Sequence, residues 1–203
     1  MIYPPRAENI ATPNRLSGYD RDEFILQPKL DGSAVTVSLD KTGIVVLNRH
    51  GKAYTKHKGK QMFAPLQRDS LTVYAGEYMD KSRKDEDGKV FNHVFVIWDI
   101  LTLDGKDLIG TTVVERLDLL EGLLPYRETS KHIYSTQFDK IYRVASYTNN
   151  FVDLYNQMVE VDMYEGCILK RKESKLEHLC RENNNSTWQI KVRKPHRGGI
   201  YRF

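Results

Sequence analysis

The chain has 203 residues, of which 40% are apolar and 29% are charged, and its formal net charge is +4. This length supports one substantial hydrophobic core or two small ones, and the composition is typical of a globular protein. No apolar run approaches the roughly 20 residues of a transmembrane helix, and the first residues do not form a signal peptide. Cys167 and Cys180 form neither a CxxC pair nor a zinc pattern, so we expect a reducing, cytoplasmic compartment.

Alternating apolar residues and turn signals predict a strand-rich chain. Strands are predicted at 24–27, 33–39, 44–48, 71–78, 90–101, 167–170 and 187–194. Apolar residues at helical spacing predict helices over 113–124 and from about 150 to 161, the second capped by Asn149 or Asn150. The polar segment 80–88 predicts a mobile loop. Together these elements predict an α+β fold of mixed, mostly antiparallel sheets flanked by helices.

The positive charge is unevenly distributed along the chain. Residues 165–203 contain ten Lys or Arg against four Glu, so this segment has a net charge of +6 and the remainder −2. A second basic cluster lies at 49–60. Such clusters suit a polyanionic partner, because neutralising its charges releases bound counterions, but a solvated surface has the same composition.

One short motif combines a nucleophile with a flexible turn. Lys29-Leu30-Asp31-Gly32 follows the first predicted strand, and Gln27 lies two residues before the lysine. A lysine attacks phosphorus only as a free amine, so a site must desolvate it or place other cations beside it. Glycine lets the backbone approach a nucleotide closely. Alone, such a tetrapeptide is equally compatible with a surface turn.

Further polar residues follow at strand ends or between strands, where a rigid scaffold can direct them into one cleft. These residues are Arg49, Glu77, Trp98, Glu165, Lys170, Lys191 and Arg193. In this order after the lysine motif, they resemble the covalent nucleotidyltransferase superfamily of ATP-dependent DNA and RNA ligases and mRNA-capping guanylyltransferases. The resemblance covers almost the whole chain. It implies a nucleotidyltransferase (adenylylation) domain over residues 1–203, with an ATP-grasp-like core whose nucleotide cleft lies between sheets.

The resemblance implies roles for the residues that would hold the nucleoside. Lys29 is the nucleophile that attacks the α-phosphate of ATP and forms a lysyl-N–AMP bond. Asp31 acts in catalysis by orienting the lysine, or lies beside the nucleotide. Gln27 hydrogen-bonds the adenine edge, Trp98 stacks on the base, and Arg49 binds ribose or a nucleic-acid phosphate.

The resemblance also implies roles for the charged residues around the phosphates. Glu77 and Glu165 bind Mg²⁺, for which Mn²⁺ can substitute, or hold its waters near the α-phosphate. Lys170, Lys191 and Arg193 contact the α-phosphate or pyrophosphate, and Lys191 is counted among the catalytic residues. Taken singly, each acid could equally be a surface residue at a strand end.

Within the superfamily, the segment 99–121 resembles ATP-dependent DNA ligases most. It contains Asp99-Ile100-Leu101 and later Glu115-Arg116, and the run 165–172 resembles the late strand of the same enzymes. The resemblance predicts an enzyme of DNA repair or replication that seals 5′-phosphate/3′-OH nicks in duplex DNA through an adenylylated 5′ end.

Two positions depart from the DNA ligase pattern. Ala34 lies where DNA ligases usually have arginine, and Trp188 precedes Lys191 by three residues instead of two. An RNA ligase, a GTP-dependent capping guanylyltransferase and a non-catalytic nucleic-acid-binding remnant of a ligase therefore remain alternatives.

DNA ligases and capping enzymes continue into an oligonucleotide-binding (OB) barrel, which would begin near residue 203. We therefore predict a monomeric minimal core of phage or viral type without an OB domain. Such a core would obtain closure over ATP from the nucleic acid or from a partner protein.

Overall fold

The computed structural model describes residues 2–127, 129–130, 132–180 and 183–195, with residues 129 and 130 described as backbone only. Within these residues lie fourteen strands, two α-helices and two 3-10 helices. The strands are β1 (Arg6–Ile10), β2 (Phe24–Leu30), β3 (Ser33–Asp40), β4 (Gly43–Asn48), β5 (Thr72–Tyr78), β6 (Arg83–Lys84), β7 (Val90–Phe91), β8 (Phe95–Leu103), β9 (Lys106–Asp107), β10 (Thr129–Ser130), β11 (Ile133–Ser135), β12 (Ile141–Val144), β13 (Tyr164–Arg171) and β14 (Asn185–Arg193). The α-helices are α1 (Val113–Leu123) and α2 (Phe151–Val159), and the 3-10 helices are Pro13–Tyr19 and Lys60–Leu66.

The strands form two main sheets. The smaller sheet has the order β1-β14-β13-β2, and the larger has the order β10-β11-β12-β8-β5-β3-β4, with β9 paired to β8. Only the β1–β14 and β12–β8 pairs are parallel among the described strands of these sheets. The prediction of an α+β fold with mixed, mostly antiparallel sheets is confirmed.

Two apolar clusters hold the sheets in place. One contains Val37 and Leu39 of β3, Ile100 of β8 and Leu120 of α1. The other packs the smaller sheet against α2, with Met158 among its members. The indole of Trp98 contacts both clusters, so it joins the two halves of the core. Within the described residues, no helix is long and apolar enough to span a membrane.

Both α-helices lie where periodicity predicted them, but their N-termini are stabilised differently. Thr112 and Glu115 form a reciprocal capping box at α1. Asn150 occupies the N-cap position of α2 as predicted, but it has a left-handed backbone (φ 60°) and its side chain makes no capping hydrogen bond. Instead, the Phe151 amide donates a 3.3 Å hydrogen bond to Asp20 Oδ2, far away in sequence.

The strand predicted over 90–101 is interrupted. It divides into β7 and β8, because His93 adopts a positive φ of 55° between them. The polar segment 80–88 is also not an irregular loop throughout, since β6 within it pairs with β7. Sequence patterns did not predict β1 or the strands β10–β12, which are short; β1 and β12 pair with distant strands, whereas β10 and β11 pair locally.

Candidate active site

The smaller sheet presents one continuous polar face to the larger sheet. Because side chains on one face of a strand recur every second residue, Gln27 and Lys29 of β2 share this face. The β13 register places Gly166 opposite Lys29 and Ile168 opposite Gln27. Lys170 lies one further step along, opposite Ile25.

Strand β14 extends the same face on the other side of β13. Its register places Arg193 opposite Gly166, Lys191 opposite Ile168, and Gln189 opposite Lys170. The face is therefore organised in rows across β14, β13 and β2. The Gln27 row lies in the middle. The row with Lys29 and Arg193 lies two residues to one side of it, and the row with Gln189 and Lys170 lies two residues to the other.

A cleft of about 210 Å³ lies between this face and the larger sheet. Its far wall includes Ala34, Thr36 and Glu77, and Trp98 also lines it. Residues 4–7 close one side, because β1 pairs with β14. The predicted residues that line the cleft are Gln27, Lys29, Arg49, Glu77, Trp98, Lys170, Lys191 and Arg193.

At one end of the cleft, a lysine and a glutamate are in direct contact. Lys29 Nζ lies 2.5 Å from Glu165 Oε2, and Arg193 Nε lies 3.6 Å from the same oxygen. A break in the β13 register between Tyr164 and Gly166 precedes this contact. Gly166 has a φ of 135°, and a Cβ there would collide with the backbone of Val192, so only glycine fits.

Glu77 projects from β5 toward the same lysine but is nearly inaccessible to solvent. Its exposed fraction is 8%. Burial raises the pKa of Glu77 to about 8, with Lys29 acting to lower it and Glu165 acting to raise it. Glu165 contacts Lys29 and Arg193 but is not among the described residues that line the cleft. We call Lys29, Glu77, Glu165 and Arg193 the Lys29 end.

The residues at the opposite end of the cleft are shielded from solvent. Gln27, Lys170 and Gln189 are 2%, 3% and 6% exposed. Burial lowers the pKa of Lys170 to about 8, and its Nζ donates a 3.3 Å hydrogen bond to the Trp98 carbonyl oxygen. Gln27 Nε2 donates to Ser146 Oγ at 2.9 Å. We call Gln27, Lys170, Gln189 and Trp98 the Gln27 end.

Lys191 and Arg49 complete the set of cations. Lys191 Nζ donates to the Ala7 carbonyl oxygen at 3.3 Å, and burial, followed by the charge of Arg193, lowers the pKa of Lys191. Arg49 follows β4 at the exposed rim, where its Nε lies 3.1 Å from His50 Nε2.

Asp31 does not line the cleft. Its carboxylate is bound by Arg83 and lies 3.3 Å from Lys81 Nζ. Burial acts to raise the pKa of Asp31, but the charges of Arg83 and Lys81 hold it below its ordinary value. Arg83 also contacts Asp162 at 3.3 Å. Asp31 therefore attaches the segment 80–88 to the end of β2.

Glu77 and Glu165 lie close enough for the charge of Glu165 to raise the pKa of Glu77, and they are the predicted ligands of a divalent cation. Among the described residues, no group of three or more His, Cys, Asp or Glu side chains could hold a metal ion. Mg²⁺, however, is commonly held by one or two carboxylates together with phosphate oxygens and waters. A cation here would also offset the cost of ionising the buried Glu77.

Two residues of the ligase-like segment 99–121, Asp99 and Arg116, form a buried ion pair. Arg116, fully buried, donates from Nε and Nη2 to the two oxygens of Asp99 at 2.8 and 3.1 Å. Its Nη1 donates to the carbonyl oxygens of Thr111 and Thr112. The pair fixes α1 against β8 directly beside Lys170, whose pKa both charges influence.

Sequence reasoning missed Gln189, Lys81 and Arg83. Gln189 could have been found by period, because it lies two residues before Lys191, where ligases commonly have tryptophan. Trp188, one residue earlier, projects to the opposite face with Ile190 and Val192. Lys81 and Arg83 carried no sequence signal, since only the folded chain brings them to Asp31.

The described fold matches solved DNA ligases over almost its whole length. A structure of mycobacterial DNA ligase D complexed with ATP and MES superposes with a TM-score of 0.65 at 19% identity, covering 95% of this chain and 60% of that one. The ligase domain of M. tuberculosis LigD gives a TM-score of 0.65 at 18% identity, with coverages of 95% and 59%. A Lig E DNA ligase structure gives 0.58 at 16% identity, with coverages of 96% and 69%.

These similarities establish the nucleotidyltransferase fold, and this chain spans about three fifths of the length of the two LigD structures. No curated protein matches the chain in sequence. Residues 64–191 match the family model of the ATP dependent DNA ligase domain. Because this match covers more than half of the 203 residues, the chain belongs to the ATP-dependent DNA ligase domain family.

Proposed function

We propose that the cleft transfers AMP from ATP to Lys29 and then to the 5′-phosphate of nicked duplex DNA, which a 3′-OH attacks to seal the nick. One observation carries the proposal. Lys29 Nζ lies within 2.5 Å of Glu165, beside the buried Glu77 and the cations of β14. The arrangement supports the proposal, because the transfer needs a nucleophile with a proton acceptor and phosphate-binding charges nearby.

The first step forms a bond between Lys29 and AMP and releases pyrophosphate. The Lys29 ammonium gives a proton to the Glu165 carboxylate, which is within hydrogen-bond distance. The free amine attacks the α-phosphorus, so a nitrogen–phosphorus bond forms and the bond to the pyrophosphate oxygen breaks. Lys191 and Arg193 would stabilise the charge on the phosphate oxygens. Glu77 would hold Mg²⁺, whose charge would offset that of the phosphate oxygens while Glu165 holds the proton.

The Gln27 end would hold the adenine. Gln27 and Gln189 offer amide donors and acceptors, Lys170 a buried donor, and Trp98 an aromatic surface. Arg49 and the basic segment 49–60 lie at the rim, where they would contact the DNA backbone. Asp31 would act indirectly, by fixing the segment 80–88 beside the nucleophile.

The intact mass after incubation with ATP and Mg²⁺ tests the first step. We expect the wild type to gain one AMP and Lys29→Ala to gain none, while the exposed-residue control Lys52→Ala behaves as the wild type. An adduct that persists in Lys29→Ala would refute the assignment of the nucleophile. An adduct with GTP but not ATP would instead favour a guanylyltransferase.

The later steps need a separate test, because the LigD structures are longer than this chain. Pre-adenylylated nicked DNA bypasses the first step and reports directly on sealing. Sealing of a DNA nick in preference to an RNA nick would support the proposed substrate. The reverse preference would favour an RNA ligase, and binding without either reaction would favour a non-catalytic module.

A further inference from the structure

A second cavity lies beyond the Gln27 end of the cleft, against α1. It has a volume of about 310 Å³, at the lower end of the range for small-molecule sites. Ile25 and Ile97 from the two sheets, Val114 and Leu117 of α1, Arg143 of β12 and Ser146 are among its lining residues. We call it the α1 cavity.

At the α1 cavity, two nitrogen atoms of a buried arginine make no hydrogen bond within the part of the chain that the structure describes. Arg143 is 6% exposed, and its Nε and Nη2 have no hydrogen-bond partner among the described residues. Its guanidinium carbon lies 5.7 Å from the centre of the Tyr134 ring. Burial lowers the pKa of Arg143, and the charge of Glu121 acts in the opposite direction without a hydrogen bond to Nε or Nη2. An unpaired buried charge is costly, so a group that pairs with this guanidinium would stabilise the protein.

Two other arginines of the protein show which chemical group pairs with the Nε–Nη2 edge of a guanidinium. Arg116 uses Nε and Nη2 to bind both oxygens of Asp99. Arg68 uses the same two nitrogens to bind both oxygens of Asp104, at 2.7 and 3.0 Å. The planar fork of a guanidinium matches a carboxylate in this way. The same two nitrogens of Arg143 are those that lack a partner.

The charges around the cavity favour a ligand with one negative charge over one with two. Asp118 and Glu121 lie on the exposed side of α1 at the cavity, where they would repel a dianion such as a phosphate monoester. Lys172 is already engaged, since its Nζ lies 2.6 Å from Asp22 Oδ1. The remaining wall is largely apolar and suits a hydrocarbon body.

We propose that the α1 cavity is a binding site for a small monocarboxylate with an apolar body, whose carboxylate pairs with Arg143. Since Nε and Nη2 are screened from solvent, the side chain must turn about its own bonds into the cavity that it lines. The site is distinct from the nucleotide cleft. It is nevertheless one hydrogen bond away, because Ser146 lines the cavity and accepts from Gln27.

Benzoate is a suitable probe, and benzamide is its uncharged analogue. We expect millimolar benzoate to raise the melting temperature of the whole chain and to bind in calorimetry, whereas benzamide does neither. Arg143→Met should weaken benzoate binding at least about tenfold, because a hydrogen-bonded ion pair is lost. Arg171→Met, whose guanidinium lies over Phe24 outside the cavity, is the matched control and should bind as the wild type.

A second variant keeps Arg143 and blocks the space. Val114→Phe should also abolish benzoate binding, so the conclusion does not depend on the folding of Arg143→Met. Failure of benzoate to bind the wild type would overturn the proposal, as would equal binding of benzamide or undiminished binding by both variants. None of these readouts requires ATP, so they are independent of the proposed ligase activity.

Discussion

The residues that β2, β13 and β14 contribute to the two ends of the cleft differ in their access to water, although Glu77 of β5 is buried at the Lys29 end. At the Lys29 end, the side chains of Lys29, Glu165 and Arg193 are 21%, 32% and 47% exposed. At the Gln27 end, no residue of Gln27, Lys170 and Gln189 exceeds 6%. Access to solvent helps charged groups to exchange protons and to release a polyanion. Hydrogen bonds discriminate between nucleotide bases most strongly in a buried site, because a wrong base leaves a buried polar group without a partner.

This contrast predicts that changes at the Lys29 end alter rate and changes at the Gln27 end alter nucleotide binding. Glu165→Gln should give the largest effect. Removing the acceptor next to the nucleophile should slow self-adenylylation about 10²–10⁴-fold with little change in the Kd for ATP. Single-turnover mass spectrometry measures the rate. Glu173→Gln, an exposed acid on the following segment, is the control, and a purely affinity-based defect in Glu165→Gln would contradict the comparison.

Glu77 should make stability depend on pH at the Lys29 end. Its folded pKa of about 8 lies above the ordinary value of 4.5, so between these values the folded state holds the extra proton. The contribution of Glu77 to the free energy of unfolding is therefore greatest below about pH 4.5. It falls as the pH rises toward 8, by up to about 1.4 kcal/mol per pH unit.

Urea unfolding of metal-free protein from pH 5 to 8 measures this dependence. Glu77→Gln should flatten the wild-type slope, since the amide does not titrate. Lys170 gives the opposite sign, because its lowered pKa of about 8 means that stability recovers above that pH. Parallel slopes for wild type and Glu77→Gln would show that Glu77 is ionised in the folded protein.

Gly166→Ala tests the backbone contact that brings Glu165 to Lys29. The new Cβ would collide with the backbone of Val192 at a positive φ, so we expect a loss of about 1–3 kcal/mol in unfolding free energy and slower adenylylation. Gly122→Ala in α1 is the matched control. No neighbour lies within 4 Å of its added Cβ, and alanine should stabilise the helix slightly. Equal effects of the two changes would refute this role of Gly166.

Gln27→Leu should have the smallest effect and should act on recognition. It removes the amide at the dry end without removing bulk, so the KM for ATP should rise about tenfold and the preference over GTP should fall, while kcat changes less. The exposed helix variant Gln157→Leu controls for the substitution itself. A fall in kcat at unchanged KM would contradict the separate roles predicted for the two ends.

Much of the fold and the order of the site residues could be predicted from the sequence. The strands β2–β5, β13 and β14 and both helices lie near their predicted positions, because apolar periodicity reports burial directly. β2 extends to Leu30, so Lys29 lies within the strand and not beyond it. The strands β10–β12 escaped prediction, since short edge strands depend on their neighbours more than on their own composition.

The amino-acid sequence by itself determined the family, the α+β class and most of the polar residues on β2, β13 and β14. These follow from local patterns, in which alternation fixes the face of each side chain. Only the tertiary structure decided that Asp31 binds Arg83 and Lys81, and that two nitrogens of the buried Arg143 have no hydrogen-bond partner among the described residues. Strand register and the approach of distant segments set these contacts, and neither is encoded in the spacing of residues along the chain.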